Sequence, residues 1–346
     1  MEGENISGSD EIGQLRARWL RRDHAELARA AVSAIKRGRS LGQVPGLSQV
    51  QERWDLRGLT FRLPAIRRTI WDMLNNSLTF KSTFIRDTDL SYADADDTRW
   101  ESCQLSNVVF DDANLSGIIL NSCDVTSASF RGTDLRAGVF GVKSLTSATE
   151  FSKCVFADAD MRGTGHWITS YRDCVFSAAN LHNVDFDGAR FTHCSFAGLV
   201  FGASFHSRST LITLSGRFPH PEAAQPNKML SVDFSAANLR GVNFEGVDLS
   251  SCRFPNDGRH LVVRRQHDVF EEARAIVSKE WTGEQREAAL TYLEWNHLTP
   301  NIVPNSGITE AKLRQPIDVI NLDDLIEYID PITGPRLFDL IRSIAE

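Results

Sequence analysis

The stretch at residues 235–250, SAANLRGVNFEGVDLS, decides how this chain is read. Leu239, Phe244 and Leu249 recur at every fifth residue, and two residues before each stands a small or β-branched one: Ala237, Val242 and Val247. An amphipathic helix needs apolar residues three and four apart, and a half-buried strand needs them two apart. A strict interval of five fits neither, so the chain must turn a corner once per repeat. Asn238 and Asp248, lying between the two apolar positions, are of the type that bonds local backbone and stabilises turns.

The same register extends backwards through most of the chain. It runs from Phe80 to Leu145, resumes after one extra residue from Phe151 to Phe201, and returns from Phe234 to Phe254 after a long interruption. Only Ala95 and His166 lack a large apolar or aromatic side chain at the fifth position, in a chain whose hydrophobic content is 42%. All six cysteines, Cys103, Cys123, Cys154, Cys174, Cys194 and Cys252, fall at the small inward position. A cysteine that keeps to this register acts as a small hydrophobe, and none stands at metal-ligand spacing from another. A disulfide framework is not expected in a chain of this size with no secretory signal.

DDANLSG (111–117), RGTDLRA (131–137), FADADMRG (156–163) and SAANLHN (177–183) resemble the A(D/N)LXX repeat of the pentapeptide-repeat family. The resemblance covers about half of the chain. It implies a mainly β fold, a right-handed quadrilateral β-helix solenoid in which four pentapeptides make one square coil. Thirty repeats would give about seven and a half coils and, at a strand spacing of about 4.8 Å, a rod of about 36 Å.

Outside the repeat the pattern changes. Residues 10–37 carry Ile12, Leu15, Trp19, Leu27, Ala30 and Ile35 near one helical face, ending at Gly38, and are expected to form one capping helix. Residues 55–61 already read as two pentads, after which Pro64 opens a helical interruption at 64–76. Residues 205–230, rich in proline and polar residues, read as a loop thrown out of the coil. After Phe254 helical spacing predicts helices near 264–280, 284–298 and 321–344. The expected organisation is an N-terminal helical cap at 1–53, a repeat domain at 54–254 and a helical C-terminal domain at 255–346 that covers the open end of the coil.

Composition and motifs point away from catalysis. There is no phosphate-binding glycine loop, no HExxH, no GxSxG and no kinase set, so no catalytic residue, cofactor or metal site is expected. His166 is the outlier at an inward position, and it reads as a buried, satisfied histidine or a local bulge beside Gly163 and Gly165, with a functional site as the third reading. Asp87, Asp89, Asp94, Asp96 and Asp97 cluster, as solvated turn positions do. No run of residues is long and apolar enough for a membrane span, and residues 1–30 lack a signal peptide, so a cytoplasmic protein is expected; a bacterial source is implied by the resemblance alone.

Two readings of function follow. Some pentapeptide-repeat proteins are similar to B-form DNA in width and negative surface and bind type II topoisomerases such as DNA gyrase and topoisomerase IV. That reading needs dense acidity, yet residues 80–254 are only net −5, with arginines interspersed. The preferred reading is a non-catalytic scaffold or adaptor that binds a protein partner, or a second copy through its C-terminal helices, and not nucleic acid directly. Candidate contacts are the positions where β-branched residues replace the Asp/Asn habit: Val155 and Val175 on one wall, Ile119 and Val139 on the wall expected to adjoin it.

Overall fold

The computed structural model describes residues 8–61, 78–141, 148–207, 229–298 and 317–346. The helix expected at 64–76 and most of the loop expected at 205–230 lie outside the described residues.

The repeats stack as parallel coils. Phe80 pairs with Trp100, Trp100 with Leu120 and Leu120 with Phe140, each partner being one coil further along. Successive pentapeptides contribute in turn to four parallel ladders: that of Phe80, that of Ile85, that of Leu90 and that of Ala95, the last held by single bridges such as Asp94 with Asn114 and Asn114 with Asp134. At most of the described corners the residue two after the large one takes a left-handed backbone, as at Asp97 (φ 53°), Ser102 (φ 54°) and Asn107 (φ 54°). Polar residues that bond locally tolerate this region best, which explains their abundance there. The Asn and Asp residues between the inward pair do stabilise the turns: the side chains of Asn114, Asp134 and Asp160 accept the backbone N–H groups of Ser116 at 3.2 Å, Arg136 at 3.1 Å and Arg162 at 3.3 Å.

Coil spacing matches ring stacking, so the inward aromatics form continuous columns. Phe130, Phe156, Phe176, Phe196 and Phe234 stack face to face with centroids 4.9, 4.9, 4.7 and 4.8 Å apart. Phe151, Tyr171 and Phe191 form a second column at 5.0 and 5.1 Å. These side chains are fully buried, and each removes roughly 150–250 Å² from water.

Two irregularities correct the expected register. Val125 pairs with Phe151 and Phe140 with His166, so the interval from Phe140 to Phe151 is a single step of the coil; Leu145, which the register counts, lies outside the described residues. Further on, Phe186 pairs with Phe205, one residue short of a full coil. The chain absorbs the missing residue by running straight through a corner in the strand Ser195–Phe201, with a bulge against Asp233–Arg240. Val200 therefore takes the inward position expected of Phe201, and Phe201 points outward.

The expected capping helix at 10–37 is two helices, α1 (Gly8–Arg18) and α2 (Arg22–Lys36), broken at Trp19. The break lets the α1 terminus turn onto the first coil. Arg18 donates two bonds to the buried Asp55 carboxylate at 2.7 Å each, and Trp19 Nε1 donates to Arg57 O at 2.8 Å. Ala31, Ala34 and Ile35 bury the α2 face, while Ala30 is exposed. Gly38, at φ 62°, closes the helix by donating to Ile35 O at 2.9 Å.

The C-terminal region is not purely helical. Strands His260–Arg264 and Ile317–Asn321 pair antiparallel, with Val262 and Val319 against the solenoid core and Val263 and Ile320 in a second core. That core is closed by α3 (Gln266–Glu280), α4 (Gly283–Leu298), α5 (Leu322–Tyr328) and α6 (Thr333–Ala345). The helix expected at 321–344 is two, separated where Pro331 falls.

Two outcomes are expected for the N-terminal cap. Gly58, at φ 69°, lies so close to α1 that an added Cβ would sit 2.8 Å from the Leu15 carbonyl, whereas Gly163, at φ 66°, has nothing within 4 Å. G163A should lose only the left-handed backbone cost of about 1–2 kcal/mol, and G58A should lose more and release α1, read by denaturant midpoint and by proteolysis after residue 18. Burial raises the Asp55 carboxyl, but hydrogen bonds from Arg18 and Arg57 outweigh it and hold the group well below the carboxylate range. A lowered folded value means that the contribution is present above about pH 4 and is lost as the pH falls further. D55N should therefore cost about 3 kcal/mol at neutral pH, with the gap to wild type narrowing in acid.

Candidate partner-binding surface

Ile119 and Val139 are neighbours in the ladder of Leu120, and that column ends at Gly165, over which the Trp167 ring lies. Val155 and Val175 are neighbours in the ladder of Phe130. The ladder of Val125 separates the two, so the pairs stand two ladders apart and do not join, and the walls expected to adjoin are kept apart by one whole pentapeptide wall. Ile119, Val139 and Val155 are half-buried, and Val175 is 37% exposed.

A more open apolar pair arises from the slipped register. Leu199 is 52% exposed and Phe201 36%. The Phe201 ring stacks on His182, centroids 5.0 Å apart and 11° from parallel, and the Arg240 guanidinium also stands over the ring, 5.9 Å from its centroid. Arg240 in turn ion-pairs with Asp324 at 3.2 Å and with Glu327, both on α5. An outward stripe thus runs from the coil wall into the C-terminal helices, where Tyr328 and Ile332 are also exposed. One signal in the sequence points to it: Phe205 follows Phe196 at an interval of nine, not ten.

Along the same ladder the acidic residues are matched by cations. Arg136 and Arg162 each bond the aspartate two residues before them, at 2.7 Å to Asp134 and to Asp160, and Arg136 approaches Asp160 at 3.7 Å. Those hydrogen bonds hold both carboxyls below the usual carboxylate range. On another ladder Arg253 pairs with Asp233 at 2.6 Å. Where these pairs stand, negative charge is locally neutralised.

The interior offers satisfied groups. His166 is fully buried, with Nδ1 2.5 Å from the Tyr171 hydroxyl and Nε2 2.8 Å from Thr164 Oγ1. Thr164 donates to Met161 O at 2.8 Å, so Nε2 carries the hydrogen and Nδ1 accepts from Tyr171. Burial pushes the imidazole down to about 3, which keeps it neutral. The six cysteines are free; bonding to Cys154 pushes the Cys174 thiol up to about 12, and burial pushes Cys252 up to about 11, so neither is a reactive thiolate. Among the described residues no cluster of His, Cys, Asp and Glu could hold a metal ion, and no helix is long and apolar enough to cross a membrane.

The family model for pentapeptide repeats matches this chain in eight copies, over residues 85–121, 101–136, 170–201 and 229–256. No curated protein matches it. Among solved structures it is similar to HetL, a pentapeptide repeat protein involved in heterocyst differentiation regulation from the cyanobacterium Nostoc, at 15% identity and TM-score 0.33 over 54% of this chain and 95% of that one. It is similar also to Rfr23 from the cyanobacterium Cyanothece, at 13% identity and TM-score 0.31 over 37% of this chain and 96% of that one. QnrB1, a plasmid-mediated fluoroquinolone resistance protein, gives 16% identity and TM-score 0.26 over 49% of this chain and 86% of that one. The five-residue interval, the coil-to-coil pairing of its inward residues and the eight matched copies show that this chain carries the repeats of the pentapeptide-repeat family over residues 85–136, 170–201 and 229–256.

Proposed function

We propose that this protein is a non-catalytic scaffold, cytoplasmic, that binds a protein partner where the repeat wall meets the C-terminal helices. The four ladders are read as the walls of a right-handed, quadrilateral β-helix. The observation that carries the reading is the open pair Leu199 and Phe201, continued through Arg240 into α5. Surface apolar groups on a rigid wall, rimmed by paired charges, are what a protein contact uses. Val155 with Val175, and Ile119 with Val139, are secondary contacts on the other ladders. A DNA-mimicking role towards gyrase or topoisomerase IV is disfavoured, because Arg136 and Arg162 neutralise the aspartates beside them.

The test is capture from host lysate with full-length protein at two salt concentrations. The paired substitution L199D/F201D, on outward side chains, should keep the circular dichroism of the folded coil, with a small drop in melting temperature from the lost Phe201 contacts, and abolish capture, and V155D/V175D should weaken it. Capture unaffected by either pair would sink the reading. Enrichment of gyrase or topoisomerase IV subunits that fades with salt would establish the mimic instead, and a dimer mass by light scattering lost on altering Tyr328 and Ile332 would make the partner a second copy.

A further inference from the structure

Within the coil, the ladder of Leu115 is held by main-chain bonds that each residue makes to the next coil. Leu115 N–H donates to Asp134 O at 2.8 Å, Leu135 N–H to Asp160 O at 2.8 Å and Met161 N–H to Asn180 O at 3.0 Å. Two residues further, Gly117, Ala137 and Gly163 donate in the same way to Arg136, Arg162 and His182. Leu239 and Gly241 occupy these positions in the last coil, where no further coil supplies the carbonyls.

The C-terminal region supplies side chains in their place. Leu239 N–H donates to His260 Nε2 at 3.0 Å, and Gly241 N–H to Asp324 Oδ2 at 2.7 Å. Asn321 Nδ2 donates to Leu239 O at 2.6 Å, and it also lies 3.0 Å from His260 Nε2. The amide of Asn321 cannot turn over, because its oxygen accepts from Asp323 N at 2.8 Å as the N-cap of α5. The Leu239 N–H therefore points at Nε2, beside the Asn321 amide, whose hydrogens Leu239 O and Asn238 Oδ1, at 3.1 Å, also accept, and the imidazole hydrogen sits on Nδ1, 2.9 Å from Asp257.

A backbone carbonyl cannot take up a proton near neutrality, whereas an imidazole can. We propose that His260 makes the docking of the C-terminal region on the last coil proton-sensitive, closed while Nε2 is a free acceptor and released when it is protonated. A protonated ring keeps its bond to Asp257 but turns Nε2 into a donor that faces the Leu239 N–H and the Asn321 amide. The buried Leu239 N–H then loses its acceptor, which is costly in a dry site. The other charged groups at this junction are Arg240 with Asp324 and Glu327, Arg259 with Asp323, and Arg342, which bonds Gly258 O. Asp324 is the rival titrating group, since burial raises its carboxyl against the Gly241 amide and Arg240. The inference stands independently of the partner surface.

The experiment is hydrogen exchange on the full chain, corrected for intrinsic rates, between about pH 8 and about pH 5.5, the span over which an imidazole ordinarily titrates. Protection at residues 239–241 and 317–321 should fall about tenfold or more in wild type, while the Phe156–Phe176 coils keep theirs. H260Q, whose side chain offers an acceptor that does not titrate, should retain protection across the range. D257N, which leaves the Leu239 bond in place, should move the loss to lower pH and serves if H260Q does not fold. The proposal is overturned if wild type loses no protection, if H260Q loses as much as wild type, if D257N leaves the transition where it was, or if D324N alone removes the loss.

Discussion

Everything in the repeat domain depends on one geometric coincidence: the distance between hydrogen-bonded coils is close to the distance at which aromatic rings stack. Phe130, Phe156, Phe176, Phe196 and Phe234 lie within 4.9 Å of their neighbours along one column because the ladders set that interval. The interior is then filled by rings with little freedom to shift, and a residue gained or lost cannot be absorbed inside. It is absorbed at the corners. The longer interval from Phe140 to Phe151 and the straightened corner at Gly198 leave the inward columns unbroken.

That constraint also accounts for where the surface becomes distinctive. Most outward positions carry polar residues that close turns or pair with the next coil, as Asn114 does in donating to Asp94 at 2.9 Å. Where the register slips, residues selected for the interior pattern emerge on the outside. Phe201 is such a residue, and its contacts with His182 and Arg240 tie the wall to α5.

The ends of a solenoid pose the opposite problem, since the first and last coils have backbone groups with no next coil. At the N-terminal side Arg18, Trp19 and Arg57 converge on Asp55 and its neighbouring carbonyl, a charged network that locks α1 in place. At the C-terminal side the missing carbonyls are replaced by His260 and Asp324. Side-chain acceptors hold the edge as carbonyls would, but they bring titratable chemistry to a place where the rest of the coil has none.

The interval of five, the small residue two before each large one and the six cysteines in register determined by themselves that the chain turns a corner once per repeat, because burial in so narrow a coil dictates residue size at every inward position; the β-helix itself was what the resemblance to pentapeptide repeats implied. The inward placement of His166 was equally legible, although its partners Tyr171 and Thr164 were not named by spacing. The two-helix cap, the strand pair at His260–Arg264 and Ile317–Asn321 and the exposure of Phe201 were decided only by tertiary structure. Helix α1 ends where Trp19 finds Arg57, and the two strands pair across more than fifty intervening residues, so no local period announces either. Phe201 satisfies the five-residue rule counted from Phe196 and fails it counted from Phe205. Pairing with the neighbouring coil, which the sequence does not record, settles which count the backbone follows.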